Sequence, residues 1–250
     1  MGLAEGGVLL LAGVAAGTIN TVVGSGSLVT FPALLAFGYP PVTANITNNL
    51  GVLPGSISGA VAYRRELRGQ RPRVLRLGAA SLVGGLGGAL LLLWLPAAAF
   101  AAIVPALILL ACVLVILQPW LRRRTAARER PLGHPGVARV GGVFFSGLYG
   151  GYFGAAQGVL LMAILGIVIA DDLQRLNALK NVLVAVANTS AAIVFIIRGG
   201  IAWDAAAVIA VGSIAGGQIG ARIGRRLPAP LYRTVIVAVG LIAVWKLVAS

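Results

Sequence analysis

Asn45 and Asn49 stand four residues apart inside a largely apolar run, and Asn177 and Asn181 do the same later in the chain. Four residues is close to one helical turn, so each pair shares a helix face. Asn48 adjoins the first pair, and Lys180 and Asn188 accompany the second. Amides and an ammonium within an apolar helix are costly unless they pair or face a polar cavity. Two readings are open for the asparagines: hydrogen bonds that tie helices together, and direct contact with a ligand. Lys180 has three, namely snorkelling to the membrane interface, pairing with Asp171 or Asp172 at the start of its segment, and contact with an anion.

Ahead of each Asn-bearing run lies a longer apolar stretch, residues 8–38 and 139–170, broken in its middle by glycine and polar residues. The first break holds Asn20, Thr21, Gly24, Ser25, Gly26 and Ser27; the second runs from Gly147 to Gly154 and on to Gln157 and Gly158. Split at its break, each stretch gives two pieces of about 15 residues, roughly 22 Å long and short of the roughly 30 Å hydrocarbon core. A hairpin of two short helices is therefore predicted in each half. Helix ends at such a break expose unpaired N–H groups and the positive end of the helix dipole, which can hold an anion without a charged side chain. Glycines let a ligand approach the backbone, and serine hydroxyls cap a helix or donate outward. The candidate substrate-binding set is Asn20, Thr21, Gly24, Ser25, Gly26, Ser27, Asn45, Asn48, Asn49, Gln157, Gly158, Asn177, Lys180, Asn181 and Asn188.

These elements belong to one unit written twice. Asn45, Asn49, Gly84, Gly85, Gly88, Leu95 and Pro96 recur 132 residues later as Asn177, Asn181, Gly216, Gly217, Gly220, Leu227 and Pro228. Apolar runs of spanning length occur at about 42–63, 74–94 and 98–118, with counterparts at about 176–197, 203–221 and 231–249. The predicted fold is an all-α polytopic membrane protein of two repeats, each a broken-helix hairpin followed by three transmembrane helices. Residues 1–118 form the first repeat, 119–138 a basic cytoplasmic linker and 139–250 the second repeat.

Charge placement suggests that the repeats are inverted. Arg64, Arg65, Arg68, Arg71, Arg73 and Arg76 crowd one loop of the first half, whereas the equivalent loop from Arg198 to Asp204 is nearly neutral. In the second half the arginines Arg222, Arg225 and Arg226 precede the turn equivalent to the uncharged Leu95-Pro96 turn. Since Lys and Arg stay cytoplasmic, the second copy reads as upside down relative to the first, with both termini outside. Eight full spans in parallel repeats is the competing topology. The glycines at 84, 85 and 88 and at 216, 217 and 220 fit close helix packing.

Composition narrows the class. Of 250 residues 59% are hydrophobic and 10% charged, with a mean hydropathy of +0.97, more apolar surface than one soluble core could hide. The net charge of +14 comes largely from twelve Lys and Arg residues in two loops without interleaved aromatics, which fits topology rather than nucleic-acid binding. Cys112 and His134 are each the single residue of their type, so a disulfide framework, a histidine metal centre and a cofactor are not indicated. The first apolar stretch follows Glu5 and no Lys or Arg, unlike a cleavable signal, and is taken as part of the mature chain. All six acids fall at segment ends or in loops, so a site built from helix ends, hydroxyls, amides and one lysine suits a small oxyanion rather than a cation.

At these motifs the chain resembles the TauE/SafE family of sulfite and organosulfonate exporters. The resemblance is carried by Asn20 to Leu35, by Pro40 to Asn48 with Pro54-Gly55, and in the second copy by Gly147 to Gly154, Asn177 to Asn181 and Asn188. Family members often have a glycine run where this chain has Ala155-Ala156-Gln157-Gly158. The resemblance implies export of small sulfur-containing anions across a bacterial inner membrane, with partners limited to substrate and lipid and with a homo-oligomer compatible. An uncoupled anion channel, or transport of other small organic anions, is the alternative; a membrane enzyme or scaffold finds no nucleophile–base pair or metal cluster in the sequence.

Overall fold

The computed structural model describes residues 2–126, 135–223 and 229–249. The described chain is helical: α1 (Leu3–Val22), α2 (Ser27–Ala36), α3 (Pro41–Ala62), α4 (Arg71–Trp94), α5 (Ala97–Ala126), α6 (Pro135–Tyr152), α7 (Gln157–Val168), α8 (Leu173–Arg198), α9 (Trp203–Ile223) and α10 (Ala229–Ala249). Among the described residues, α1, α4, α5, α8 and α9 are long and apolar enough to cross a membrane. Large apolar side chains such as Leu11, Val83, Ile116, Ile197, Val211 and Trp245 face outward. In water that surface would be a large unfavourable patch; against acyl chains it is the ordinary exterior of a multi-pass membrane protein.

Both broken stretches form hairpins, but their arms are unequal. The first arm, α1, has 20 residues and the second, α2, has 10; α6 and α7 have 18 and 12. At 1.5 Å per residue α1 extends about 30 Å, so it penetrates far deeper than two equal arms of 15 would. Each hairpin returns to the end from which it started. The Tyr39 hydroxyl, just beyond α2, donates to Glu5 Oε1 in the first turn of α1 at 2.9 Å, and Arg139 Nε at the start of α6 donates to the Val168 carbonyl at the end of α7 at 2.8 Å.

The halves pack by exchanging partners. Helix α1 lies on α9 and α6 on α4, while α3 and α8 pack on α9 and α4 respectively. Glycine makes these approaches close: a Cβ at Gly84 would lie 2.3 Å from the Phe144 carbonyl oxygen, and one at the equivalent Gly216 would lie 2.1 Å from that of Val14. Serine adds a matched pair of bonds, since Ser81 Oγ donates to the Leu183 carbonyl at 2.7 Å and Ser213 Oγ to the Gly51 carbonyl at 2.8 Å. Ser81 and Ser213, like Gly51 and Leu183, are 132 positions apart. Close backbone packing with interhelical hydroxyl bonds holds membrane helices together where lipid removes the hydrophobic drive between them.

Helices α3 and α8 cross in opposite directions. Thr47 near the start of α3 accepts from the Ala202 N–H beyond the end of α8, and Gln70 beyond the end of α3 donates to the Arg175 carbonyl at the start of α8. Two boundaries differ from the sequence expectation. Helix α1 begins at Leu3 rather than at residue 8, and α5 continues past the buried Gln118 to Ala126. Residues 127–134 of the expected linker, with Glu129 and His134, lie outside the described residues.

Candidate functional site

The two hairpin tips meet backbone to backbone. The Gly158 N–H donates to the Gly24 carbonyl at 3.0 Å, and a Cβ on Gly24 would lie 2.3 Å from Gly158 Cα. Gly24 also has φ +90°, which side-chain-bearing residues rarely adopt. The corresponding bend in the second hairpin is made by Gly154 at φ 79° and Ala156 at φ 58°. An edge-to-face contact of Phe31 with Phe153, ring centroids 5.2 Å apart, and one of Phe100 with Tyr152 at 5.6 Å pack the tips against the core.

Each tip ends a helix, and the carbonyls there need donors. The helix that follows one hairpin supplies them to the other. Asn45 Nδ2 of α3 donates to the Tyr152 carbonyl at the end of α6 at 2.9 Å. Its repeat equivalent, Asn177 Nδ2 of α8, donates to the Thr21 carbonyl at the end of α1 at 3.3 Å. Thr21 O also receives Asn181 Nδ2 at 3.4 Å and Lys180 Nζ at 3.3 Å, and Lys180 Nζ reaches Asn20 O at 3.1 Å. Lys180 is fully buried. It has not snorkelled to an interface; its charge sits at the negative end of α1, where the dipole amounts to roughly half an elementary charge.

The two acids proposed as partners for Lys180 have other engagements. Asp171 binds Arg73 and, at 3.0 Å, Arg175, while Asp172 caps α8 by accepting from the Gln174 and Arg175 N–H groups. Burial raises the Asp171 carboxyl pKa, but the hydrogen bonds from Arg73 and the Asp172 N–H, with the charges of Arg175 and Arg73, outweigh it and leave the carboxyl below its ordinary value. At the opposite end, burial and then the Glu5 hydrogen bond push Tyr39 up to about 12.

The remaining candidates divide into two groups. Thr21 Oγ1, Ser25 Oγ, Asn49 Oδ1, Asn177 Oδ1 and both amide atoms of Gln157 are buried without a protein hydrogen-bond partner. Buried polar atoms without partners are few in proteins, and a group of them on or beside two broken helices is what a polar ligand would satisfy. Gln157 is 1% exposed and lies over Gly150, where a Cβ would come within 2.3 Å of its Cδ and Nε2. Other residues act in packing: Asn20 Nδ2 donates to Ser56 Oγ at 2.9 Å, Asn48 Oδ1 accepts from Thr30, and a Cβ on Gly26 would meet the Ala16 carbonyl at 2.2 Å. Ser27 opens α2 half-buried, and Asn188 is buried two turns beyond Asn181.

The sequence reading did not single out Thr30, Ser56 or the serine pair Ser81 and Ser213. The pair had a usable signal, since both serines stand at matching places in the repeat. Thr30 has no such signature, since the residue 132 positions later is Met162, whereas Ser56 corresponds to the polar Asn188.

The chain is 31% identical to the probable membrane transporter protein YfcA of Escherichia coli K12 over 96% of its own length and 88% of that protein's. It is 26% identical to a probable membrane transporter protein of Haemophilus influenzae, covering 96% and 93% of the two chains, and 28% identical to the probable membrane transporter protein ORF9 of a Sinorhizobium species, covering 97% and 92%. No solved structure matches. The profile of the family described as sulfite exporter TauE/SafE matches residues 9–247, so the chain belongs to that family of membrane transporters.

Proposed function

We propose that the protein carries small oxyanions, sulfite or organosulfonates among them, across a bacterial inner membrane by alternating access of two inverted halves. The carrying observation is the crossing at Gly24 and Gly158, where two broken helices meet beside the fully buried Lys180 and several unpartnered polar groups. Lys180 Nζ and the buried hydroxyls and amides of the two tips supply the hydrogen-bond donors that the several acceptor oxygens of an oxyanion require. The opposed directions of α3 and α8, the exchange of packing partners and the arginines at the α3–α4 loop support inversion, with that loop in the cytoplasm.

In this reading the hairpin tips are the substrate site, and rocking of one half against the other exposes it first to one end and then to the opposite end. The contacts between the halves that would have to open are Arg73 with Asp171 at one end, and the Ala202 N–H with Thr47 at the other. The test is uptake into vesicles containing the purified protein, with sulfite, thiosulfate, a small sulfonate and a small carboxylate as substrates. Saturable flux of one of these anions, abolished by its unlabelled form, supports transport of that anion. Flux that rises linearly with concentration and carries current without trans-stimulation supports the uncoupled channel instead, and no flux of any of the four overturns the oxyanion assignment.

A further inference from the structure

Away from the residues that cap the hairpin tips, α3, α4 and α8 leave between them a groove of about 580 Å³ that opens on the protein surface. Its wall is apolar, with Ile57 and Val61 from α3, Leu82 from α4, and Val186 and Ile193 from α8. Four of these, Ile57, Val61, Leu82 and Ile193, are between 43% and 53% exposed. In a chain that spans the membrane, such a groove is open to acyl chains. One end is different: Arg64, exposed and one helical turn beyond Val61 on the same stripe, closes the apolar run.

Charge singles out the occupant. From Arg64 to Arg71 the chain carries four arginines and one glutamate, so the polar end of the groove is strongly positive. The repeat offers a comparison within the molecule, because the residue 132 positions after Arg64 is Ile196. The cation that ends the groove therefore has no counterpart at the equivalent position of the other half. An apolar channel with a single cationic end is complementary to a molecule with an apolar chain and one anionic head, and basic sites between helices at the cytoplasmic surface bind anionic headgroups. A second copy of this chain would place another cluster of arginines or a neutral apolar face against Arg64, which the charge disfavours.

We propose that this groove holds an acyl chain of an anionic phospholipid whose phosphate is bound by Arg64. The lipid would tie α3 to α4 and α8, three helices drawn from both halves, and so bias how far those halves separate. Native mass spectrometry of the full-length protein, released from mixed phosphatidylglycerol and phosphatidylcholine bilayers, tests this directly. The wild type retains phosphatidylglycerol in preference to phosphatidylcholine. R64A lowers that preference by about fivefold, R64K restores most of it, and R71A, which alters an arginine outside the groove, leaves it unchanged. V61W fills the groove without touching the charge and removes the retained lipid.

Equal loss in R64A and R71A would mean diffuse attraction to a basic surface and would overturn the site. Retention unchanged in V61W would do the same. A lipid-free dimer dissociated by V61W would assign the groove to a second copy. Since Arg64 and Val61 are exposed, folding of both variants is checked by an unchanged elution profile and helical signal before lipid is counted.

Discussion

Lys180 Nζ lies 3.1 Å from the main-chain oxygen of Asn20, so this buried lysine is joined to the end of a broken helix in the other half of the chain. The bond explains how an ammonium is tolerated there. Carbonyls at the end of α1 have no partners in their own helix, and Lys180, Asn177 and Asn181 of α8 provide them. The same lysine is the group that the proposed function assigns to the anion.

Replacing Lys180 separates these roles. K180A leaves two buried carbonyls with fewer donors and should cost about 2 kcal/mol, lowering the melting temperature in detergent by roughly 6 °C. K180Q keeps a donor without the charge and should recover part of that loss. If the charge also binds substrate, a transported anion raises the melting temperature of the wild type and of K180R but not of K180Q. An equal shift in K180Q would confine Lys180 to its structural bonds.

Asp171 joins the start of α4 to the start of α8 through Arg73 and Arg175. Its carboxyl pKa is lowered in the fold, so its contribution is complete above the unfolded value near 4 and is lost as pH falls through the lower folded value. D171N should therefore destabilise the protein by about 1 kcal/mol at neutral pH, with the difference from wild type closing only below about pH 4. Melting temperatures of both proteins from pH 3 to pH 8 check this. A gap that stays constant to pH 3, or closes near pH 6, contradicts it.

Much of this architecture was legible because repetition amplifies weak signals. A single Gly84 says little, whereas Gly84 with Gly216 identifies equivalent faces, and both prove to be close backbone contacts. The breaks were also legible, since Gly24 and the Gly150–Gly154 segment interrupt apolar runs; their place along each hairpin was not. The apolar run begins at Val8, after Glu5 and two glycines, so its composition does not show that α1 starts at Leu3 or that the arms are unequal. The apolar run at about 98–118 matches the membrane-crossing part of α5, Ala97–Trp120; the continuation of the helix to Ala126 through Pro119 and the arginines was not legible, since those residues read as a loop. Least legible were the acceptors of Asn45, Asn177 and Lys180. These are main-chain carbonyls, and any residue type can present one.

The opposed directions of α3 and α8 lead to a labelling pattern. On a background with Cys112 replaced by alanine, single cysteines at the exposed positions Leu3, Arg71, Asp204 and Arg222 fall into two classes toward a membrane-impermeant thiol reagent. Leu3 and Asp204 should label from outside intact cells, and Arg71 and Arg222 only after permeabilisation. Parallel repeats give a different partition, with Arg71 and Asp204 on one side and Arg222 on the other. That result would overturn the inverted reading while leaving family membership untouched.

The contact of Gly24 with Gly158 can be tested in a way that distinguishes crowding from backbone strain. Alanine at Gly158 meets no unfavourable φ, but its Cβ would fall 2.4 Å from Gly24 Cα. Alanine at Gly38 meets the reverse situation, with φ +84° and nothing within 4 Å. Alanine at Gly24 meets both. If the crossing matters only as a turn, G24A and G38A resemble each other, each losing on the order of 1 kcal/mol, and G158A is mild. If the two tips must touch, G158A and G24A both separate the hairpins and reduce flux at least tenfold in protein that still folds, while G38A keeps near wild-type flux. The second outcome is expected, because neither backbone at the crossing can yield without moving a helix end that Lys180 or Asn45 holds in place.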